Sequence, residues 1–192
     1  MPPRIPPLPR EEWTDAARDV FAYWEGDEAR QNGSRSNTMM VLAQHPALAM
    51  ASLDFGKYFM VAATLSGRLQ KMIVLRVAHR TGSTYQWTHN ALGAQQIGMT
   101  PAEVEALASP LEAGQWCPSE RAMLRVIDQL LDGGRISDDA WAEASTHFDK
   151  RQMLDLVQAT GYFTTVAWTL LAAGVEIEPD FAEFSRNRAK AD

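Results

Sequence analysis

Cysteine is nearly absent from this chain of 192 residues, since Cys117 is the only one. A single cysteine excludes an internal disulfide and any thiol pair within the chain. It also fits a reducing compartment, so we expect a cytoplasmic protein. A surplus of basic residues is missing too, because the formal net charge is −6. Binding to a phosphate backbone needs a concentrated basic face, so we expect no nucleic-acid partner.

Long apolar runs are also missing. No run approaches the roughly 20 residues that a membrane span needs, and the proline-rich N-terminus lacks the apolar core of a secretory signal. We therefore expect no membrane partner. The four histidines include no pair at ligand spacing with a carboxylate, so no metal site is predicted.

Apolar residues recur at helical spacing along most of the chain, while the alternation typical of β-strands is absent. With 46% hydrophobic residues, this pattern predicts one soluble all-α domain over residues 1–192. Repeated proline makes residues 1–10 an extended arm, which either lies across a neighbouring subunit or is an ordinary loose terminus. Residues 27–37 are polar and predict a loop, and residues 180–192 predict a loosely ordered tail.

Two Thr-Gly pairs, Thr81-Gly82 and Thr160-Gly161, mark a possible internal duplication. In both places the pattern predicts a helix, a break at the glycine and a second helix, which indicates a pseudo-repeat of a helix pair. The second copy is far more apolar than the first. We therefore interpret the second pair as scaffold and the first pair as the candidate site.

The first helix pair resembles a known family. Residues 72–90, MIVLRVAHRTGSTYQWTHN, are similar to the core segment of the carboxymuconolactone decarboxylase family, which includes alkylhydroperoxidase D-like proteins. Residues 119–176 resemble these proteins as well. The resemblance implies an alkylhydroperoxidase D-like all-α fold, assembly as a homotrimer or homohexamer, and sites near subunit contacts.

The sequence departs from the family's peroxidase branch at each reactive position. That branch uses two cysteines, a glutamate one helix earlier and a histidine after the cysteine pair. The matching residues here are Ser83 and Gln86, Lys71, and Asn90. Peroxide reduction needs a thiolate and a resolving thiol, so the peroxiredoxin activity associated with the family is not expected of this chain. Decarboxylase chemistry needs proton transfer and anion stabilisation, and does not depend on thiols.

Three residues are candidates for proton transfer. Tyr85 and His89 share a helix face at i, i+4 spacing, and a His–Tyr pair suits general acid–base catalysis near neutral pH. The alternative is that both rings hydrogen-bond at a subunit contact. Lys71 can pair with a substrate carboxylate or act as a base if burial lowers its pKa. A solvated lysine, or one in a structural ion pair, is the other interpretation.

Ser83, Gln86 and Asn90 form a neighbouring face that can hold a carboxylate or carbonyl oxygen at the helix N-terminus. A capping box between Ser83 and Gln86 explains both residues without a ligand. Arg80 adds positive charge and is a candidate substrate-binding residue, and Arg76 and His79 would favour an organic acid if they faced the pocket.

Two functions follow from these observations. The first is a cofactor-free lyase, or a related proton-transfer enzyme, acting on a small cyclic or carboxylated organic compound. The second is a catalytically silent family member that serves as a ligand-binding or assembly subunit.

Overall fold

Residues 2–181, the part of the chain that the computed structural model describes, contain ten α-helices, three short 3₁₀-helices and no β-strand. The helices are α1 (Asp15–Glu25), α2 (Asp27–Asn32), α3 (Asn37–Leu42), α4 (Pro46–Val61), α5 (Gly67–Thr81), α6 (Thr84–Gln96), α7 (Pro101–Ala106), α8 (Pro118–Gly133), α9 (Asp138–Ser145) and α10 (Lys150–Ala173). The all-α prediction is confirmed. Across the described residues, no helix is long and apolar enough to cross a membrane. Most of the predicted tail, residues 182–192, lies outside the described part.

The chain divides into two compact units, Met1–Tyr58 with Thr169–Asp192 and Phe59–Trp168. In the first unit, α1 packs against α2 and α3. Val20 and Phe21 of α1 are fully buried there, within a cluster that also contains Ala17 and Leu53. This unit also contains the proline-rich N-terminal arm.

The arm is tied to its own unit by backbone hydrogen bonds. Arg4 N and Ile5 N donate to the Ala173 carbonyl at 2.8 and 3.0 Å, and Leu8 N donates to Met40 O at 2.9 Å. Leu8 is buried in the core of the unit. Because each bond pairs a polar group of the arm with the same unit, the arm is ordered rather than loose.

The second unit is organised around α5, which contacts both α6 and α8. Every residue from Met72 to Ala78 is buried, as expected for a helix that is covered on all sides. Residues next to its two ends determine where α5 begins and ends. The Ser66 side chain caps the start by accepting from Leu69 N, and Gly82 ends the helix in the left-handed conformation at φ 73°.

The prediction of a loop over residues 27–37 is wrong, because these residues contain α2 and the first residue of α3. Gly26 and Gly33 flank α2 at φ 74° and 90°. Ala29 in its centre is buried against the core of the first unit. Packing of this one apolar residue stabilises a segment whose composition alone indicates a loop.

The predicted helix break at Gly161 is also wrong, because α10 continues without interruption from Lys150 to Ala173. Hydroxyl groups on both sides of the glycine donate to helix carbonyls four residues earlier: Thr160 Oγ1 to Leu156 O at 2.8 Å and Thr164 Oγ1 to Thr160 O at 2.7 Å. The second member of the predicted repeat is therefore one long helix rather than a helix pair. A Thr-Gly pair ends a helix only where the glycine adopts a positive φ.

The two glycines should respond in opposite ways to alanine. Gly161 has helical geometry and an ideal Cβ there meets nothing within 4 Å, so Gly161→Ala should stabilise the fold by about 0.5–1 kcal/mol. Gly82 sits at φ 73°, so Gly82→Ala should destabilise it by about 1–2 kcal/mol. Urea denaturation of both variants checks this, and equal losses for the two would contradict the uninterrupted helix.

Candidate functional site

The turn at Gly82 brings α6 back along α5 within three residues. Gly82 N donates to His79 O at 3.0 Å, and Ser83 N donates to Ala78 O at 2.9 Å, so the last turn of α5 is closed by the start of the next helix. On α6, Gln86, Asn90 and Gly93 follow one another at i, i+4 and i+7 spacing and share a face. That face meets Lys71 of α5.

Lys71 is held against α6 at a defined position. Its Nζ donates to Asn90 Oδ1 at 2.9 Å, and Asn90 Nδ2 donates in turn to the Gln86 main-chain carbonyl at 2.9 Å. A Cβ placed on Gly93 would lie 3.0 Å from Lys71 Nζ. The missing side chain at Gly93 thus leaves room for the lysine head group.

The Lys71 amine lies in a partly buried position with a neutral partner. Burial lowers the pKa of the Lys71 amine from its ordinary value of 10.5, because desolvation disfavours the charged form. Within residues 2–181 no carboxylate forms an ion pair with it. An amine in this state is better suited to accept a proton than an exposed lysine.

The stability of the protein should reveal this lowered pKa. Between the folded pKa of Lys71 and 10.5, the unfolded chain binds more protons at this position, so stability rises with pH in that window. In Lys71→Met this pH-dependent contribution to the free energy of unfolding is absent. The difference in unfolding free energy between variant and wild type should therefore favour the variant most at neutral pH and shrink above it. A pH series of urea denaturations measures the difference, and a pH-independent difference would contradict the lowered pKa.

The capping box predicted for Ser83 and Gln86 does not form. Ser83 precedes α6, but its side chain makes no capping hydrogen bond. The Gln86 side chain turns away from the helix start, and its Nε2 donates to Phe163 O of α10 at 3.1 Å. Helix capping therefore does not explain why these two polar residues are buried here.

Ser83 and Gln86 each carry a buried polar atom without a partner, Ser83 Oγ and Gln86 Oε1. The residues are only 1% and 3% exposed. Leaving a buried acceptor or hydroxyl unsatisfied costs on the order of 1–3 kcal/mol. Native proteins satisfy almost all such groups, so each exception calls for a partner such as a ligand, an ion or an ordered water. One of the two residues directly precedes α6 and the other lies in its first turn, so together they indicate a ligand-binding site at the start of this helix.

Tyr85 and His89 are in direct contact, as their spacing predicts. The ring centroids lie 4.4 Å apart and the planes are inclined by 34°. Both side chains are partly buried. They occupy the face of α6 next to the one that carries Gln86 and Asn90, because adjacent residues differ by about 100° around a helix.

Arg80 lies away from this cluster. It is about 180° around α5 from Lys71 at 3.6 residues per turn. Its guanidinium forms ion pairs with Asp128 at 2.8 Å and with Asp132. Arg76 binds Asp128 as well, at 2.7 Å. The charge of both arginines is thus neutralised by α8, so Arg80 is not retained as a substrate-binding residue. His79 packs its ring edge-on to Trp87, with 6.4 Å between the centroids.

Two members of the cluster are not evident from the candidate residues of the sequence. Gly93 lies inside a helix, where glycine costs about 1 kcal/mol relative to alanine, and that cost points to a close contact. Phe163 contributes only a main-chain carbonyl, which no sequence pattern reveals.

Cys117 is exposed, with its Sγ 3.2 Å from Ser119 Oγ. In the described chain, no three His, Cys, Asp or Glu side chains are grouped to hold a metal ion.

The family comparison covers the candidate site. Residues 46–129 match the model of the carboxymuconolactone decarboxylase family, a stretch that contains α5, α6 and the whole face from Lys71 to Gly93. No curated protein has significant sequence similarity to the chain.

Solved structures share the fold at low sequence identity. An alkylhydroperoxidase AhpD core protein from Ralstonia eutropha, described as peroxidase-related, is 16% identical with a TM-score of 0.78, covering 93% of this chain and 94% of its own. A peroxidase-related protein from Silicibacter is 16% identical with a TM-score of 0.77, covering 94% and 96%. The debrominase Bmp8, in complex with 2,3,4-tribromopyrrole, is 16% identical with a TM-score of 0.76, covering 96% of both chains. These similarities establish an alkylhydroperoxidase D-like helical fold.

Proposed function

Because residues 46–129 match the model of the carboxymuconolactone decarboxylase family, we propose that the protein is a cofactor-free lyase or a related proton-transfer enzyme. Its substrate would be a small cyclic or carboxylated organic compound. In this proposal Lys71, Tyr85 and His89 are the catalytic residues, and Ser83, Gln86 and Asn90 bind the substrate.

The observation that carries the proposal is the pair of buried, unpartnered atoms Ser83 Oγ and Gln86 Oε1, at the start of the helix whose next turn contacts Lys71 through Asn90. A packing interface has no use for such atoms, since each destabilises the fold by on the order of 1–3 kcal/mol. A binding site uses such atoms, because the substrate supplies their missing hydrogen bonds. Specificity follows, since a compound that lacks the matching groups leaves the atoms unpaired.

The proposed chemistry uses the residues according to their surroundings. As a free amine, which its lowered pKa favours, Lys71 accepts a proton. As an ammonium beside the neutral Asn90, it stabilises the negative charge that develops on the substrate as CO2 is lost or a ring opens. His89 and Tyr85, whose rings are in contact with 4.4 Å between the centroids, transfer protons through the imidazole and the phenol hydroxyl.

A substrate of this size is compatible with the fold. Bmp8, which has the same fold, has been crystallised with 2,3,4-tribromopyrrole, a small cyclic compound. Thiol chemistry is not part of the proposal, because Cys117 is the only cysteine and disulfide-based peroxide reduction needs a second thiol.

A substrate screen tests the proposed function. Lactone acids, unsaturated cyclic acids and organic hydroperoxides are offered to the purified protein while CO2 release, ring opening and peroxide loss are measured. We expect turnover of at least one acid or lactone and no consumption of peroxide above the buffer rate. Inertness toward all acids and lactones would overturn the enzymatic proposal in favour of a silent ligand-binding subunit.

We also propose that the chain forms a homotrimer or homohexamer, as the family resemblance implies. Met60, Val61 and Trp168 of the second unit are 68%, 71% and 63% exposed, and exposed apolar surface of this kind is typical of interaction sites. Light scattering coupled to gel filtration measures the mass. A monomer at micromolar concentration would contradict this proposal.

A further inference from the structure

The direction of the Gln86 side chain follows from its contact with Phe163. A main-chain carbonyl only accepts hydrogen bonds, so the amide nitrogen of Gln86 must face Phe163 O, where the two atoms are 3.1 Å apart. Gln86 Oε1 therefore points away from that contact, and it is buried without a partner. A carbonyl oxygen in this state is satisfied only by a hydrogen-bond donor. A bare carboxylate group, which only accepts, does not fit it.

Lys71 provides the opposite kind of group on the same face. Asn90 is one turn after Gln86, and residues at this spacing have Cβ atoms about 5–6 Å apart. Lys71 Nζ donates one hydrogen bond to Asn90 Oδ1. An amine or ammonium has at least one more to offer to an acceptor. The face thus presents an acceptor and a donor to one small molecule.

We propose that this site selects small cyclic compounds in which an N–H or O–H group is adjacent to a carbonyl oxygen, as in a lactam. The N–H or O–H donates to Gln86 Oε1, and the carbonyl oxygen accepts from Lys71 Nζ. Ser83 Oγ, buried on the same face, is available to a further polar substituent. This inference rests on the proposed function only in using the same site, and it narrows the substrate class.

Two ring compounds of nearly equal shape test the inference. 2-Pyrrolidinone has an N–H group next to its carbonyl, and γ-butyrolactone has a ring oxygen in the same place. We expect wild type to bind 2-pyrrolidinone about tenfold more tightly, because one buried hydrogen bond is made with the first and left unmade with the second. Titrations of the ¹⁵N-labelled protein, followed through the Gln86 side-chain amide signals, give both dissociation constants.

Two variants locate the preference. Gln86→Met keeps a similar volume and removes the acceptor, so the ratio of the two constants should fall to about 1. Gln70→Met is the matched control: Gln70 Nε2 also donates to a main-chain carbonyl, Leu65 O at 2.9 Å, and its loss should leave the ratio at about ten. Lys71→Met should weaken the binding of both rings.

Equal binding of the two rings by wild type, or no effect of either on the Gln86 signals, would overturn the inference even if Gln86→Met did not fold. The outcome is separable from that of the proposed function. A tenfold preference without turnover in the substrate screen supports the inference and refutes the enzyme. Turnover in the screen without a preference between the two rings supports the enzyme and refutes the inference.

Discussion

Replacing His89 with alanine is expected to lower kcat by about 10²- to 10⁴-fold on any substrate that the screen identifies, the usual contribution of a general acid or base. The imidazole is partly buried and packs against the tilted ring of Tyr85, with 4.4 Å between the ring centroids. No other histidine lies on α6, so no second imidazole of this helix replaces it.

Two further variants separate a catalytic loss from a structural one. His147→Ala removes an exposed histidine just after α9 and should leave kcat within about twofold, since surface substitutions of this kind are nearly neutral. Tyr85→Phe keeps the ring and removes the hydroxyl, so His89 should stay in place. Wild-type turnover in His89→Ala would remove this residue from the mechanism.

Arg76→Met is expected to lower the free energy of unfolding by about 3 kcal/mol, the lower end of the range for breaking a buried ion pair. Arg76 is 5% exposed and binds both Asp128 oxygens, at 2.8 and 2.7 Å. Its Nη1 also donates to Leu107 O and Ser109 O. The substitution leaves those carbonyls without this donor. The loss stays at the lower end because Arg80 still pairs with Asp128.

An exposed ion pair provides the comparison. Arg125 pairs with Glu143 at 2.7 Å, but the two side chains are 42% and 39% exposed. Such pairs contribute about 0–1 kcal/mol, so Arg125→Met should cost less than 1 kcal/mol. Urea denaturation at neutral pH measures both variants. Equal losses would show that burial of Arg76 does not have the assigned effect.

Local signals in the sequence were sufficient where a helix end depends on its own residues. The helix break predicted at Gly82 forms, with the glycine in the left-handed conformation, and the Ser66 side chain caps the other end of α5. The same kind of signal failed at Gly161. There the glycine does not adopt a positive φ, and the helix continues through it. Nothing in a Thr-Gly pair distinguishes these two outcomes.

The candidate site was predictable in location but not in its contacts. The spacing on α6 correctly predicts the Tyr85–His89 contact, because both residues lie on one helix. The role of Arg80 depends on Asp128 and Asp132, on a helix more distant in the chain. Likewise, Gln86 matches a capping box in sequence but bonds to a carbonyl of α10. Long-range partners of this kind are set by packing, which a single sequence does not encode in its spacing.

The central claim is that the buried Ser83 hydroxyl binds a ligand and does not stabilise the fold. The unfolding free energies of two serine variants test this most directly. Ser66 and Ser83 each precede a helix, but only Ser66 caps its helix, at 3.3 Å from Leu69 N. Ser66→Ala should lower the free energy of unfolding by about 1 kcal/mol. Ser83→Ala, which removes an unpartnered hydroxyl, should leave it unchanged or raise it. A loss in Ser83→Ala as large as that in Ser66→Ala would mean that Ser83 stabilises the fold, and would contradict the claim.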